Sequence, residues 1–136
     1  MALGPSEFTV DSWLNALFNA TSFSVAGVWI KLHTADPGAA GTASPCTETT
    51  RKSVSMGTPA APSSGVITIS NDAQVQYTSI AATGAEDATH YSLWDTVGPA
   101  GGNFLGSGVV TANAFSTGDT LTFAIGDIDI SLTAAF

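Results

Sequence analysis

The chain has 136 residues, which suits one domain and leaves no room for two substantial ones. Hydrophobic residues make up 44% of it and charged residues only 10%, against about 25% in an ordinary globular chain, so intrinsic disorder is excluded. Lys31, Arg51 and Lys52 face eleven acidic residues for a net charge of −8, which argues against nucleic acid and anionic membranes as partners, since both require clustered cations.

Residues 1–8 read as an N-terminal arm. No Lys or Arg precedes residue 31, so the charged start of a secretory signal is missing. The fairly apolar stretch 13–32 is interrupted by Asn15, Asn19, Thr21, Ser22 and Ser24, too many polar groups for a membrane span. A soluble protein made in a cytoplasm is expected, and the acceptor-like Asn19-Ala20-Thr21 is then a chance match. Within 9–20, Val10, Trp13, Leu14, Leu17 and Phe18 recur at helical spacing and form one apolar stripe, with Thr9 as the expected N-cap. A helix of about 12 residues is marginal alone. It must cap one end of the core or dock on a partner, which makes these five residues a candidate assembly surface.

From residue 26 to 133 the pattern is that of strands. In 28–33, Val28, Ile30 and Leu32 share one face and Trp29, Lys31 and His33 the other. A loop rich in Thr, Ala, Gly, Pro and Ser follows from 34 to 50 and contains Cys46, whose solitary state excludes an internal disulfide and thiolate metal clusters. Further strands are expected at 51–56, 65–70, 73–78, 89–95, 103–110, 119–125 and 128–133. Asn71-Asp72, Pro99 to Gly102 and Gly126-Asp127 supply turns, and the last two strands read as a hairpin. About eight short strands and one short N-terminal amphipathic helix predict a mostly β fold, an antiparallel β-sandwich or jelly roll, over 1–136 as a single domain.

The chemistry-bearing residues have structural accounts. His33 and Asp36 lie close in sequence, and Ser53 or Ser92 is available as a nucleophile, but no Gly-x-Ser-x-Gly elbow occurs. His33 is read as bonding to the loop that follows it, and no catalytic residue is assigned. Glu86-Asp87 with His90, and Asp127 with Asp129, lack calcium-loop spacing and read as solvated faces, a weak calcium site being the open alternative. The glycines at 98–102 and 106–108 lack the Lys-Ser/Thr of a phosphate loop, so no cofactor is expected. Trp29, Tyr91 and Trp94 are candidate glycan contacts, with core or interface packing as the alternative.

Several blocks, taken in order, carry a resemblance. They are Leu32-His33-Thr34-Ala35-Asp36-Pro37-Gly38, Thr49-Thr50-Arg51-Lys52-Ser53-Val54, Ile69-Ser70-Asn71, Thr89-His90-Tyr91-Ser92-Leu93-Trp94-Asp95, Gly102-Asn103-Phe104-Leu105-Gly106 and Gly118-Asp119-Thr120-Leu121. Together, over roughly residues 9–133, they resemble the small virion proteins of tailed bacteriophages labelled tail fibre or minor tail protein, some relatives of which decorate capsids. The resemblance implies a non-enzymatic structural β-module attached to the virion in several copies, with no catalytic residues to carry over. Implied partners are the chain itself, as a homotrimer by analogy, and other virion proteins. A receptor- or host-glycan-binding module is the alternative reading. The resemblance leaves tail tip, fibre and capsid surface open.

Overall fold

The computed structural model describes residues 4–133. Its elements in chain order are β1 (Gly4–Pro5), α1 (Glu7–Phe18), β2 (Val28–His33), β3 (Lys52–Val54), β4 (Val66–Ser70), β5 (Val75–Tyr77), β6 (Glu86–Trp94), β7 (Phe104–Phe115), β8 (Leu121–Phe123) and β9 (Asp129–Thr133). All strand pairs are antiparallel, and a five-stranded sheet runs in the order β1-β7-β6-β2-β3. Opposite it lie the pairs β4-β9 and β5-β8. The fold is mostly β and sandwich-like, as the strand pattern predicts.

The alternation in β2 sets the two faces of the main sheet. Ile30 and Leu32 are buried toward the second layer, opposite Leu93 and Tyr91 of β6. They join Val75, Tyr77, Leu121, Phe123 and Ile128 in the core cluster, so the two layers close over one another. Two tyrosine hydroxyls stitch the layers together. Tyr77 Oη donates to the Ile30 carbonyl at 2.7 Å, and Tyr91 Oη donates to the Asp129 carbonyl at 2.6 Å while accepting from Asp129 N at 3.0 Å. Tyr91 has room only because residue 108 is glycine: a Cβ there would stand 2.2 Å from its Oη.

The expected hairpin of the last two strands does not form. β8 pairs with β5 and β9 with β4, so 66–77 and 121–133 are two long antiparallel segments interrupted together. The Asn71-Asp72 and Gly126-Asp127 turns mark this shared break. Asn71 fills it: Nδ2 donates to the carbonyls of Ala73 and Ala124, each at 2.8 Å, and Oδ1 accepts from Gly126 N at 3.0 Å and Ile128 N at 2.9 Å. The β6–β7 hairpin closes through 99–102 as expected.

Two further boundaries differ from expectation. The helix begins at Glu7 and is capped by Ser6, whose side chain accepts from Thr9 N. Thr9 sits inside it and donates its hydroxyl to the Leu105 carbonyl at 2.8 Å. β1 is an additional two-residue strand on the edge of β7, and Gly-Pro has no strand signature in sequence.

The 34–50 loop folds back over the outer face of the main sheet. Cys46 N donates to the Leu32 carbonyl and Thr34 N to the Ser44 carbonyl; Pro37 is buried, and Cys46 joins the core cluster. β6 is thereby covered on both faces, and Tyr91, Ser92, Leu93 and Trp94 are all buried.

Candidate assembly surface

The helix α1 is mounted with its polar side inward. Thr9 is buried and Ser12, Asn15 and Ala16 are half-buried, whereas Val10, Trp13, Leu14, Leu17 and Phe18 are all exposed. Leu17 is 74% and Phe18 73% exposed. The anchoring explains this orientation. Ser6 donates its hydroxyl to the Phe104 carbonyl, Ser6 N donates to Leu105 O at 2.9 Å, and Thr9 Oγ1 reaches the same carbonyl, so hydrogen bonds to β7 fix the polar face against the body. Val10, Leu14, Leu17 and Phe18 thus stand as an outward ridge, while Trp13, 38% exposed, turns toward the body.

Beside the ridge, at one end of the sandwich, the layers leave an apolar groove of about 260 Å³. Trp13 forms its lip, Phe23 and Val25 come from the segment after α1, and Met56, Ile69, Leu105 and Ile130 line it from the layers. Its lining contains no charged side chain. Ile69 and Ile130 are a cross-strand pair of β4 and β9, so both sit two residues from the break filled by Asn71. Sequence reasoning missed this groove. Its one local signal is the Phe23-x-Val25 alternation ahead of β2.

The candidate glycan contacts do not come together as a platform. Tyr91 is fully buried in the core, and Trp94 is buried with the Arg51 guanidinium 4.1 Å from its ring centroid and Phe104 at 5.5 Å. Trp29 lies opposite Trp94 and is half-buried. Stacking on a sugar requires open ring faces, which Tyr91 and Trp94 do not offer.

His33 and Ser92 do meet. Lys31, His33, Ser92 and His90 share the outer face of β2 and β6, where the loop closes over them. His33 Nδ1 lies 2.7 Å from the Ala43 carbonyl and must carry the proton, leaving Nε2 to accept from Ser92 Oγ at 2.7 Å. Ser92 Oγ also accepts from Trp94 Nε1 at 2.7 Å. Burial lowers the His33 pKa, against the opposing effect of the Ala43 carbonyl. Both residues are wholly buried, Asp36 accepts from Gly38 N at 2.9 Å, and Ser53 is exposed on β3. The contact between His33 and the following loop agrees with its sequence reading.

Arg51, Glu48, Glu86, Asp127 and His90 are engaged in structure, although the buried Arg51 Nε has no hydrogen-bond partner. Arg51 is buried and donates to the carbonyls of Thr96 and Gly101, pinning the β6–β7 turn. Buried Glu48 accepts from Ala81 N and Thr50 N; burial alone would raise its pKa, but these hydrogen bonds hold it below the usual carboxylate range. Glu86 accepts from Thr47 N, Asp127 from Ala124 N, and His90 Nδ1 lies 2.8 Å from Thr89 Oγ1. Among the described residues, no three His, Cys, Asp or Glu side chains converge as metal ligands would. Burial, then Glu86 and Glu48, pushes the Cys46 thiol up to about 12.

The family of podophage GP4 fiber I protein gp80 matches residues 4–131, and the chain belongs to that family. This is a family of phage fibre structural proteins, in line with the tail-fibre resemblance of the sequence blocks. No curated protein matches the chain.

Proposed function

We propose that this member of the podophage GP4 fiber I protein gp80 family is a non-enzymatic module of the fibre, made in the host cytoplasm and carried in several copies on the virion. Val10, Trp13, Leu14, Leu17 and Phe18 form the surface by which it joins copies of itself, as a homotrimer, and neighbouring virion proteins. The observation that carries this reading is the orientation of α1. A helix that turns its polar face inward and Val10, Leu14, Leu17 and Phe18 outward leaves unsatisfied much of the hydrophobic effect that normally docks such a helix. The family's description as a fibre protein favours a fibre position over capsid decoration. A non-enzymatic role also fits the Ser92–His33 pair, which is sealed beneath the 34–50 loop with the serine oxygen already holding two hydrogen bonds.

The double variant Leu17→Asp/Phe18→Asp tests this reading. Both side chains are largely in solvent, so the isolated fold should change in stability by no more than about 0.5 kcal/mol per substitution. Phage complemented with the variant should carry little or none of the protein, as measured on purified particles. Incorporation at wild-type level would overturn the assignment of the surface.

A further inference from the structure

His33 is sealed beneath the 34–50 loop, and its ring is hydrogen-bonded to that loop on one side and to β6 on the other. We propose that residues 37–43 form an acid-released strap: a proton added to His33 lifts them from the outer face of β2 and β6 while the two layers beneath stay closed. The proposal does not depend on α1 or on what α1 joins.

Both ring nitrogens of His33 are in use, and their partners fix the proton count. Nδ1–H donates to the Ala43 carbonyl and Nε2 accepts from Ser92 Oγ, each at 2.7 Å, while the same serine oxygen accepts from Trp94 Nε1 at 2.7 Å. A proton added at Nε2 turns that acceptor into a second donor aimed at Ser92 Oγ. The Ser92 hydroxyl proton then loses its acceptor in a place where Ser92 and His33 are wholly buried and Trp94 nearly so.

The surrounding charges oppose the added proton. Burial does so most, and Lys31 on β2 and His90, opposite His33 on β6, act in the same direction. His90 Nδ1 donates to Thr89 Oγ1, which donates in turn to the Thr34 carbonyl. The carboxylates of this region hold backbone amides: Asp36 that of Gly38, Glu48 those of Thr50 and Ala81, and Glu86 that of Thr47. Arg51 donates to the Thr96 and Gly101 carbonyls, Lys52 lies 5.7 Å from the Tyr77 ring, and Cys46, its thiol pushed up to about 12, is neutral. Against these stands the Ala43 carbonyl, which favours the charged ring. That carbonyl belongs to the strap. An imidazolium therefore keeps its bond to Ala43 and gives up the one to Ser92, so the ring and the strap leave β6 together.

The opening is local because little else holds the strap. Among the described residues, the Ala43–His33 bond is the one that ties 37–43 to the sheet; Gly38 N to Asp36, Gly41 N to Gly38 O and Ala43 N to Pro37 O all run within the loop. The remaining hold is packing, chiefly the buried Pro37 and Gly41, whose backbone rests on Phe104 so closely that a Cβ would stand 2.4 Å from the ring. The base of the loop is pinned separately, by Cys46 N on the Leu32 carbonyl and Thr89 Oγ1 on that of Thr34. Ile30, Leu32, Tyr91 and Leu93 belong to the core cluster on the opposite face of the same strands, so lifting 37–43 admits water to His33, Ser92 and Trp94 and leaves that cluster dry.

Hydrogen exchange followed by NMR on the full chain tests the strap, with rates corrected for intrinsic pH dependence. Protection of Trp94 Nε1–H and of the Gly41 and Ala43 amides should fall by up to about tenfold per pH unit below roughly pH 6.5, as uptake of one proton requires. Their exchange should not accelerate in dilute urea, whereas that of the Asn71 and Ile128 amides should, because local opening exposes little surface. His33→Gln should abolish the pH dependence at the three strap positions. Lys31→Met, a change at a half-buried side chain, should fold even if His33→Gln does not, and should make the acid loss smaller by removing an opposing charge. Equal protection at pH 7.5 and 5.5 in the wild type would overturn the proposal. An acid loss undiminished in both variants would assign it to another group, and strap exchange with the urea dependence of Asn71 and Ile128 would mean that only the whole fold opens; either result also overturns it.

Discussion

Replacing Asn71 with alanine should be among the most damaging single changes in the chain, although a loop-forming Asn-Asp dipeptide would ordinarily be read as tolerant. The side chain is 1% exposed and makes four hydrogen bonds to backbone groups of both segments that break at this point. Each bond contributes about 0.5–1.5 kcal/mol net, and each buried group left without a partner costs about 1–3 kcal/mol. Gly126 N keeps its 3.1 Å bond to the Asn71 backbone carbonyl and the Ala124 carbonyl keeps Asp127 N at 3.2 Å, so the Ala73 carbonyl and Ile128 N lose their partner outright, and the expected loss is roughly 2–6 kcal/mol, a large share of the stability of an ordinary domain. For a chain of this size that corresponds to a fall of roughly 6–25 °C in Tm. Urea unfolding followed by circular dichroism measures it, with an unchanged m-value showing that the folded state retains its extent. Asn71→Asp separates the terms, because its carboxylate still accepts from Gly126 N and Ile128 N but faces the Ala73 and Ala124 carbonyls with no donor. Both variants should be destabilised. A loss below about 1 kcal/mol for Asn71→Ala would refute the plug as the element joining the halves of the second layer. Because Ile69 and Ile130 flank the break, the same variant should also loosen the groove.

His33 should make the fold acid-sensitive. Its folded pKa is lowered by burial, so the unfolded chain, at about 6.5, takes up the proton first. The stability from neutral His33 is complete above about pH 6.5 and is lost as pH falls toward the lowered folded value. The Tm of the wild type should drop more between pH 7.5 and 5.5 than that of His33→Gln, and equal slopes would count against the network. Glu48, with a lowered carboxyl pKa, contributes in a separate window that opens only below about pH 4.3. Cys46, buried and with its thiol raised to about 12, should resist iodoacetamide at pH 8 until urea unfolds the chain; alkylation at the rate of a free thiol would show that the 34–50 loop opens in the native state.

Much of the fold is legible because the period of the side chains and the turn residues report local geometry. The run VWIKLH became β2 at its expected limits, and the Pro99–Gly102 turn closed the hairpin it implied. What the pattern does not carry is which strand a segment pairs with. Residues 119–125 and 128–133 both alternate, and a Gly-Asp turn joins them, so locally they are a hairpin. The pairing with β5 and β4 is decided by Asn71, whose four bonds connect positions more than fifty residues apart as well as its own turn. Burial of Trp94 and Ser92 has a similar origin. A strand exposed on one face and a strand covered on both look alike until the path of the 34–50 loop is known, and that loop carries no periodicity.

The stripe on α1 shows the limit most clearly. Helical spacing identifies which residues share a face, and it did so for Val10, Trp13, Leu14, Leu17 and Phe18. It cannot say which way that face turns, since orientation depends on what the helix is tied to. Here the ties are two hydroxyls, Ser6 and Thr9, bonded to carbonyls at the start of β7 about a hundred residues further along the chain. Once those bonds hold the polar face inward, Trp13 reaches the lip of the groove and Val10, Leu14, Leu17 and Phe18 stay exposed. The same two hydroxyls therefore cap and anchor the helix and also present its ridge. Thr9→Val should accordingly remove one of the ties of α1 to β7, leaving those of Ser6 and a chemically intact ridge, so that a loss of incorporation into particles would trace to the orientation of the ridge and not to its hydrophobicity.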